Sequence, residues 1–126
     1  MAKLPIYYRA ADVVAIPSFS ESFGLVAVEA MASGVPVVAS NVGGLALTVE
    51  HGRAGFLIPP GCSDQFGEKI NLLLRDPMLR NEFGRVGVEN MKSYSWDAVA
   101  LQLCNIFQSL LEDSSKISIT SEVAGA

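Results

Sequence analysis

At 126 residues, half of them apolar and only 17% charged, the chain has the makeup of one ordered globular domain at most rather than of a disordered chain. Nine basic residues against thirteen acidic ones leave a net charge of −4, the wrong sign for a nucleic-acid-binding surface. The two cysteines, Cys62 and Cys104, have neither metal-ligand spacing nor a disulfide pattern, and read as free thiols of a reducing compartment.

Leu4–Ala11 reads as the last turns of a helix, with Asp12 at its boundary. No signal peptide is read at the start, because Leu-Pro and an aromatic pair follow Lys3 in place of an uninterrupted apolar core. Val13–Ile16 is a short apolar run stopped by Pro17, the form of a fully buried parallel strand. Ser18–Ser22 is a loop, and from Phe23 or Gly24 to Ser33 the chain reads as a helix that is apolar nearly all round, hence buried. Gly34 suits the position just past that helix. Val35–Ser40 is a second buried strand with Pro36 at its start, where a missing N–H costs least. Ala30–Val49 carries no charge and is long enough to cross a bilayer, but Gly34, Pro36, Asn41, Gly43 and Gly44 interrupt it. No transmembrane segment is therefore expected, and a cytoplasmic location is.

Asn41–Gly44 is a loop, followed by a short helix around Leu45–Glu50 and a turn at His51–Gly55. Phe56–Ile58 is a third strand, stopped by Pro59-Pro60. The rest is helical. Phe66, Ile70, Leu73 and Leu74 mark one apolar face, and Asp76-Pro77 supplies an N-cap with Pro at the first helical position. Leu79, Phe83 and Val86 mark a second helix. Ser95-Trp96-Asp97 caps a third, with the stripe Val99, Leu103, Ile106, Phe107 and Leu110, and these late-helix apolar residues are expected in the core. From Ser114 to Ala126 the chain is small and polar without a period, and reads as a disordered tail.

Strands alternating with helices indicate an α/β fold, here a partial Rossmann-like parallel sheet of about three strands with flanking helices and a C-terminal helical segment. Open sheets of this kind usually have more strands and bind ligands at their carboxyl ends. The chain reads as half of such a sheet.

The segment after the first strand carries the chemistry. Glu21 and Glu29 stand eight positions apart around Phe23-Gly24, where the strand turns into the apolar helix. A helix N-terminus beside a glycine suits an anion, through its free N–H groups and its dipole. A glutamate inside an apolar helix is costly to bury unless it accepts hydrogen bonds. A ligand with phosphate at one end and hydroxyls at the other meets both needs, which describes a sugar nucleotide. Plainer readings stand beside this one. Glu29 pointing to solvent and Glu21 as an ordinary helix-end carboxylate are open, Gly43-Gly44 is either a tight turn or a ligand-side loop, and His51 reads as a turn residue rather than a base.

These residues are arranged as in the C-terminal domain of GT-B-fold retaining glycosyltransferases of the group 1, or family 4, type, which the chain resembles over roughly residues 4–111. The matching parts are Pro17-Ser18, Glu21-Ser-Phe23-Gly24-Leu25, Glu29-Ala-Met-Ala32, Gly34-Val-Pro36-Val-Val-Ala39 and Val42-Gly43-Gly44. They continue through Gly52–Gly61, Asp76-Pro77 and Tyr94-Ser95-Trp96. In this order they form a specific signature, where a lone pair of glutamates would be a weak one.

The resemblance implies that Glu29 accepts hydrogen bonds from the ribose hydroxyls of a nucleotide. It implies that Glu21, Phe23 and Gly24 contact the donor sugar, and that the backbone amides of Gly24 and Leu25 hold the diphosphate. It further implies transfer of a sugar from a UDP-sugar to a hydroxyl acceptor with retention, the nucleotide sugar being the donor substrate and no cofactor or metal being needed. No catalytic residue is assigned. The sequence departs from the family pattern after Gly44-Leu45, where Ala46-Leu47 replaces the usual Pro-Glu. The family's acceptor domain and its phosphate-neutralising Arg and Lys have no counterpart before Leu4, and Arg9 is the one basic residue near the motif.

Residues 1–113 are accordingly read as the distal half of a donor-binding domain, with 114–126 as the tail. The partners expected are the nucleotide sugar, the missing N-terminal half or a companion polypeptide, and further copies of the chain through the exposed sheet edge. The alternatives are a non-catalytic nucleotide-sugar-binding or regulatory subunit and an inert truncated gene product.

Overall fold

Three short, largely apolar runs form the sheet: β1 (Val14–Ile16), β2 (Val37–Ser40) and β3 (Gly55–Ile58). All are parallel, in the order β1-β2-β3, with Val14 beside Val37 and Val37 beside Gly55. The strands lie one or two residues from the expected limits. Pro36 has no N–H to give, yet its carbonyl accepts from Val14 N at 3.1 Å and so starts the β1–β2 pairing just ahead of β2.

This computed structural model describes residues 3–123, with side-chain surroundings for residues 3–112. It forms two compact units, Met1–Lys92 and Ser93–Ala126. In the first, β2 is central and buried on both faces. Because strand side chains alternate, Val37 and Ala39 pack with Ile16, Ala27, Ala30 and Met31, while Val38 joins Ile58, Phe66, Leu73 and Phe83 in a separate cluster.

The helices of this unit are α1 (Leu4–Ala10), α2 (Leu25–Ala32), α3 (Leu45–Thr48), α4 (Ser63–Arg75) and α5 (Pro77–Met91). The expectation that α2 is buried all round is corrected. Ala27, Ala30 and Met31 are buried, whereas Leu25 is 62% and Val26 44% exposed. The small residues bring one face of α2 against the sheet and α5, and the opposite side of its first turn stays open. Its end is a Schellman turn: Gly34 adopts φ 81°, Gly34 N donates to Met31 O and Val35 N to Ala30 O, both at 3.0 Å.

At α4, Phe66 and Leu73 are buried and Ile70 packs beside them, but Leu74 is exposed. It lies about 100° round the helix from Leu73, beyond the edge of the buried face. Asp76 caps α5 as expected, its Oδ1 accepting from Leu79 N at 2.9 Å. Arg80 then donates to the Leu73 and Leu74 carbonyls at 2.7 and 2.8 Å, tying α5 to the end of α4.

A single 3₁₀ turn (Lys92–Tyr94) precedes α6 (Trp96–Val123), where Ser95 Oγ accepts from Ala98 N at 3.2 Å. The stripe from Val99 to Leu110 is exposed, which corrects its expected place in the core. A unit whose one long element is a helix has no second layer to bury that stripe. The backbone of α6 stays helical to Val123, through most of the stretch read as a tail from Ser114. Residues 124–126, the end of that stretch, lie outside the described residues.

Candidate functional site

The loop leaving the carboxyl end of β1 delivers Glu21, Phe23 and Gly24 to the mouth of α2. Gly24 takes the left-handed conformation (φ 87°, ψ 44°), which a residue with a side chain adopts only at a cost. A Cβ there would also lie 2.8 Å from Leu45 Cδ2. The turn and the α3 side chain packed beside it both favour glycine here. Glu21 turns one carboxylate oxygen toward the mouth, accepting from Gly24 N at 3.3 Å. That is the ordinary helix-end role left open by the sequence.

The glycine pair is decided by the structure. Gly44 N donates to Glu21 O at 3.0 Å, and a Cβ on Gly43 would stand 1.9 Å from that same oxygen. A Cβ on Gly44 would stand 2.4 Å from Phe23 Cα. The Val-Gly-Gly loop is thus backbone packed on backbone, and it fixes the height of the Glu21–Phe23 segment over the sheet. The sequence marked these glycines but not the segment they carry.

Within α2, Ala27 N and Val28 N both donate to Gly24 O, at 2.9 and 3.1 Å. The Leu25 and Val26 amides belong to the first turn and have no partner within the helix, so they lie at the mouth with the positive end of the dipole. Glu29 follows Leu25 by one turn on the same face, about 6 Å along the axis.

Glu29 is half-buried and does not simply face solvent. It lines a cavity of about 390 Å³ between α1 and α2, with Leu4, Pro5, Tyr8, Arg9 and Ser33. Tyr8 Oη donates to Glu29 Oε2 at 2.9 Å. Burial, then the hydrogen bond to Glu29, then its negative charge hold the Tyr8 phenol above its usual pKa. Sequence reasoning missed Tyr8. The available signal was the Tyr7-Tyr8 pair, since adjacent helical side chains diverge and Tyr7, at 70% exposure, faces out.

The structure gathers Glu21, Phe23, Gly24 and Leu25 at the helix mouth and puts Glu29 one turn deeper, beside Tyr8 and Arg9. His51 is a turn residue, as read: its Nδ1 accepts from Leu57 N at 2.9 Å and so supplies an acceptor for the outer strand β3. Among the described residues, no three His, Cys, Asp or Glu side chains gather to hold a metal ion. No helix of the described residues is long and apolar enough to cross a membrane.

The profile of the family described as "Glycosyl transferases group 1" matches residues 1–89. The D-inositol 3-phosphate glycosyltransferase of Corynebacterium glutamicum is 44% identical over 84% of this chain and 25% of its own length. Sucrose-phosphate synthase from Thermosynechococcus elongatus superposes with TM-score 0.78 at 41% identity, over 86% of this chain and 27% of that one. Anabaena HepE in complex with UDP gives TM-score 0.76 at 36% identity, over 86% of this chain and 30% of that one. The chain spans about a quarter of the length of the curated relatives it matches. With these motifs on this sheet and helix framework, the chain belongs to the group 1 glycosyltransferases of the GT-B fold.

Proposed function

We propose that the mouth of α2 and the adjoining cavity bind the nucleotide-sugar donor of a glycosyltransferase. The observation that carries this is the half-buried Glu29 carboxylate lining the cavity with Tyr8 and Arg9, one turn beyond a helix mouth whose first amides lie outside the helical ladder. The diphosphate takes the Leu25 amide, and the Gly24 amide on displacing the Glu21 carboxylate that it now meets, and the helix dipole contributes about 0.3–1 kcal/mol there, more where water is excluded. Glu29 accepts from the ribose hydroxyls, and hydrogen bonds to a charged acceptor are worth about 1.5–3 kcal/mol each. Glu21, Phe23 and Gly24 border the sugar. UDP in the HepE complex supports a uridine nucleotide as the ligand to try first.

The reaction served is transfer of the sugar to a hydroxyl acceptor with retention, completed by a partner domain or polypeptide that presents the acceptor. The departing diphosphate needs positive groups around it. The helix mouth supplies partial charge, and Arg9 is a cation at the neighbouring cavity. Calorimetry with UDP tests the binding step. Saturable binding that Glu29→Ala weakens by tenfold or more is expected, about 1.4 kcal/mol. Equal affinity for both proteins would remove Glu29 from the site.

A further inference from the structure

The Tyr8–Glu29 hydrogen bond crosses from one helix to another, over 21 positions of sequence, and lies in the wall of the cavity itself. A glutamate side chain has three rotatable bonds, and a carboxylate in an open cavity wall is otherwise free to swing. A phenol donating to Oε2 removes that freedom, and one hydrogen bond leaves the remaining acceptor positions of both oxygens available. Tyr8 packs its ring against the core cluster while its hydroxyl reaches Glu29, and the hydrogen bond is separable from that packing. Its natural role is to aim the carboxylate.

We infer that Tyr8 is a positioning residue for Glu29, holding its carboxylate in the orientation that distinguishes a ribose from a deoxyribose in the bound nucleotide. The inference rests on the reading of Glu29 as the ribose acceptor. An ordered acceptor meets the 2′-hydroxyl without losing freedom on binding, so preorganisation appears as selectivity for that hydroxyl. Tyr8→Phe keeps the ring against the cavity and removes only the donor.

The test is a double-mutant cycle on the full chain, with UDP and 2′-deoxy-UDP as probes and thermal melting recorded for every variant. The wild type is expected to prefer UDP. Tyr8→Phe should cut that preference about fivefold, mainly through weaker UDP binding, with 2′-deoxy-UDP affinity little changed. In a Glu29→Ala background Tyr8→Phe should change neither affinity, because the residue acts through Glu29. A general structural effect would lower both affinities together, and direct contact with the ligand would persist without Glu29. Either result overturns the inference. Should Tyr8→Phe not fold, Tyr8→Met provides a second hydroxyl-free side chain for the same cycle. An unchanged preference in a wild type that does discriminate defeats the role of Tyr8 alone. A wild type that binds both nucleotides equally, or neither, defeats the reading of Glu29 and the inference with it.

Discussion

Gly44→Ala isolates the contact that supports the ligand loop. Gly44 sits at φ −63°, ψ −25°, which alanine adopts without strain, so backbone preference contributes almost nothing. The new methyl would meet Phe23 Cα at 2.4 Å, Phe23 O at 2.5 Å and Phe23 C at 2.6 Å. Carbon atoms pack at about 3.5–4.0 Å, so the loop must retreat by about 1 Å. The obstacle is main chain and cannot rotate aside. Overpacking of this kind costs about 1–3 kcal/mol. For a unit of this size that lowers the melting temperature by about 4–8 °C per kcal/mol, measurable by circular dichroism. Because the displaced segment carries Glu21 and leads into the mouth of α2, UDP affinity should fall in the same variant. Gly52→Ala serves as the control: Gly52 has φ 77° but nothing within 4 Å, so it should lose only the cost of a left-handed alanine and keep its UDP affinity. A Gly44→Ala protein that melts with the wild type and binds UDP equally would refute the packing argument.

Three further outcomes follow from the same packing and hydrogen bonds. Gly84→Ala in α5 would place a methyl 2.2 Å from Gly34 O and should destabilise, whereas Gly67→Ala in α4 meets nothing within 4 Å and should stabilise by about 0.5–1 kcal/mol; the two melting shifts should have opposite signs. The Tyr8 phenol, one of three tyrosines, should ionise later than its ordinary value in an alkaline phenolate-absorbance titration, and Glu29→Gln should lower it part of the way, burial being the larger cause and left in place. The sign follows from the raised folded-state value: the contribution is complete below the ordinary tyrosine range and fades as pH climbs through the folded value, so Tyr8→Phe should flatten the alkaline loss of stability. With β1 at one edge of the sheet, self-association should appear in sedimentation and should weaken in Ala15→Lys; a strictly monomeric wild type at high concentration would contradict it.

The order of strands and helices was legible because each element here is bounded by chemistry that acts locally. Pro17 and Pro59 stop strands, Gly34 ends α2 in a left-handed turn, and Asp76-Pro77 starts α5. The location of the site was legible for the same reason: a glycine turn between a strand and a helix is a local event. What the sequence withheld is what depends on distant partners. Nothing near Gly43-Gly44 says that the Glu21–Phe23 backbone rests on it, and nothing near Glu29 says that Tyr8 reaches it. Amphipathic periodicity states which face of a helix seeks cover, but not whether cover is supplied. Leu74 and the stripe of α6 are exposed for that reason, and α2, apolar nearly all round in sequence, keeps Leu25 and Val26 open beside the site.

The central claim is that Glu29 reads the ribose while the mouth of α2 holds the phosphates. A crystal structure of the chain with UDP tests it most directly. The account predicts ribose hydroxyl oxygens within hydrogen-bonding distance of the Glu29 carboxylate, Tyr8 still donating to Oε2, and phosphate oxygens facing the amides at Gly24 and Leu25, with the Glu21 carboxylate moved off Gly24 N. UDP bound elsewhere, or bound with its ribose turned away from Glu29, would contradict it.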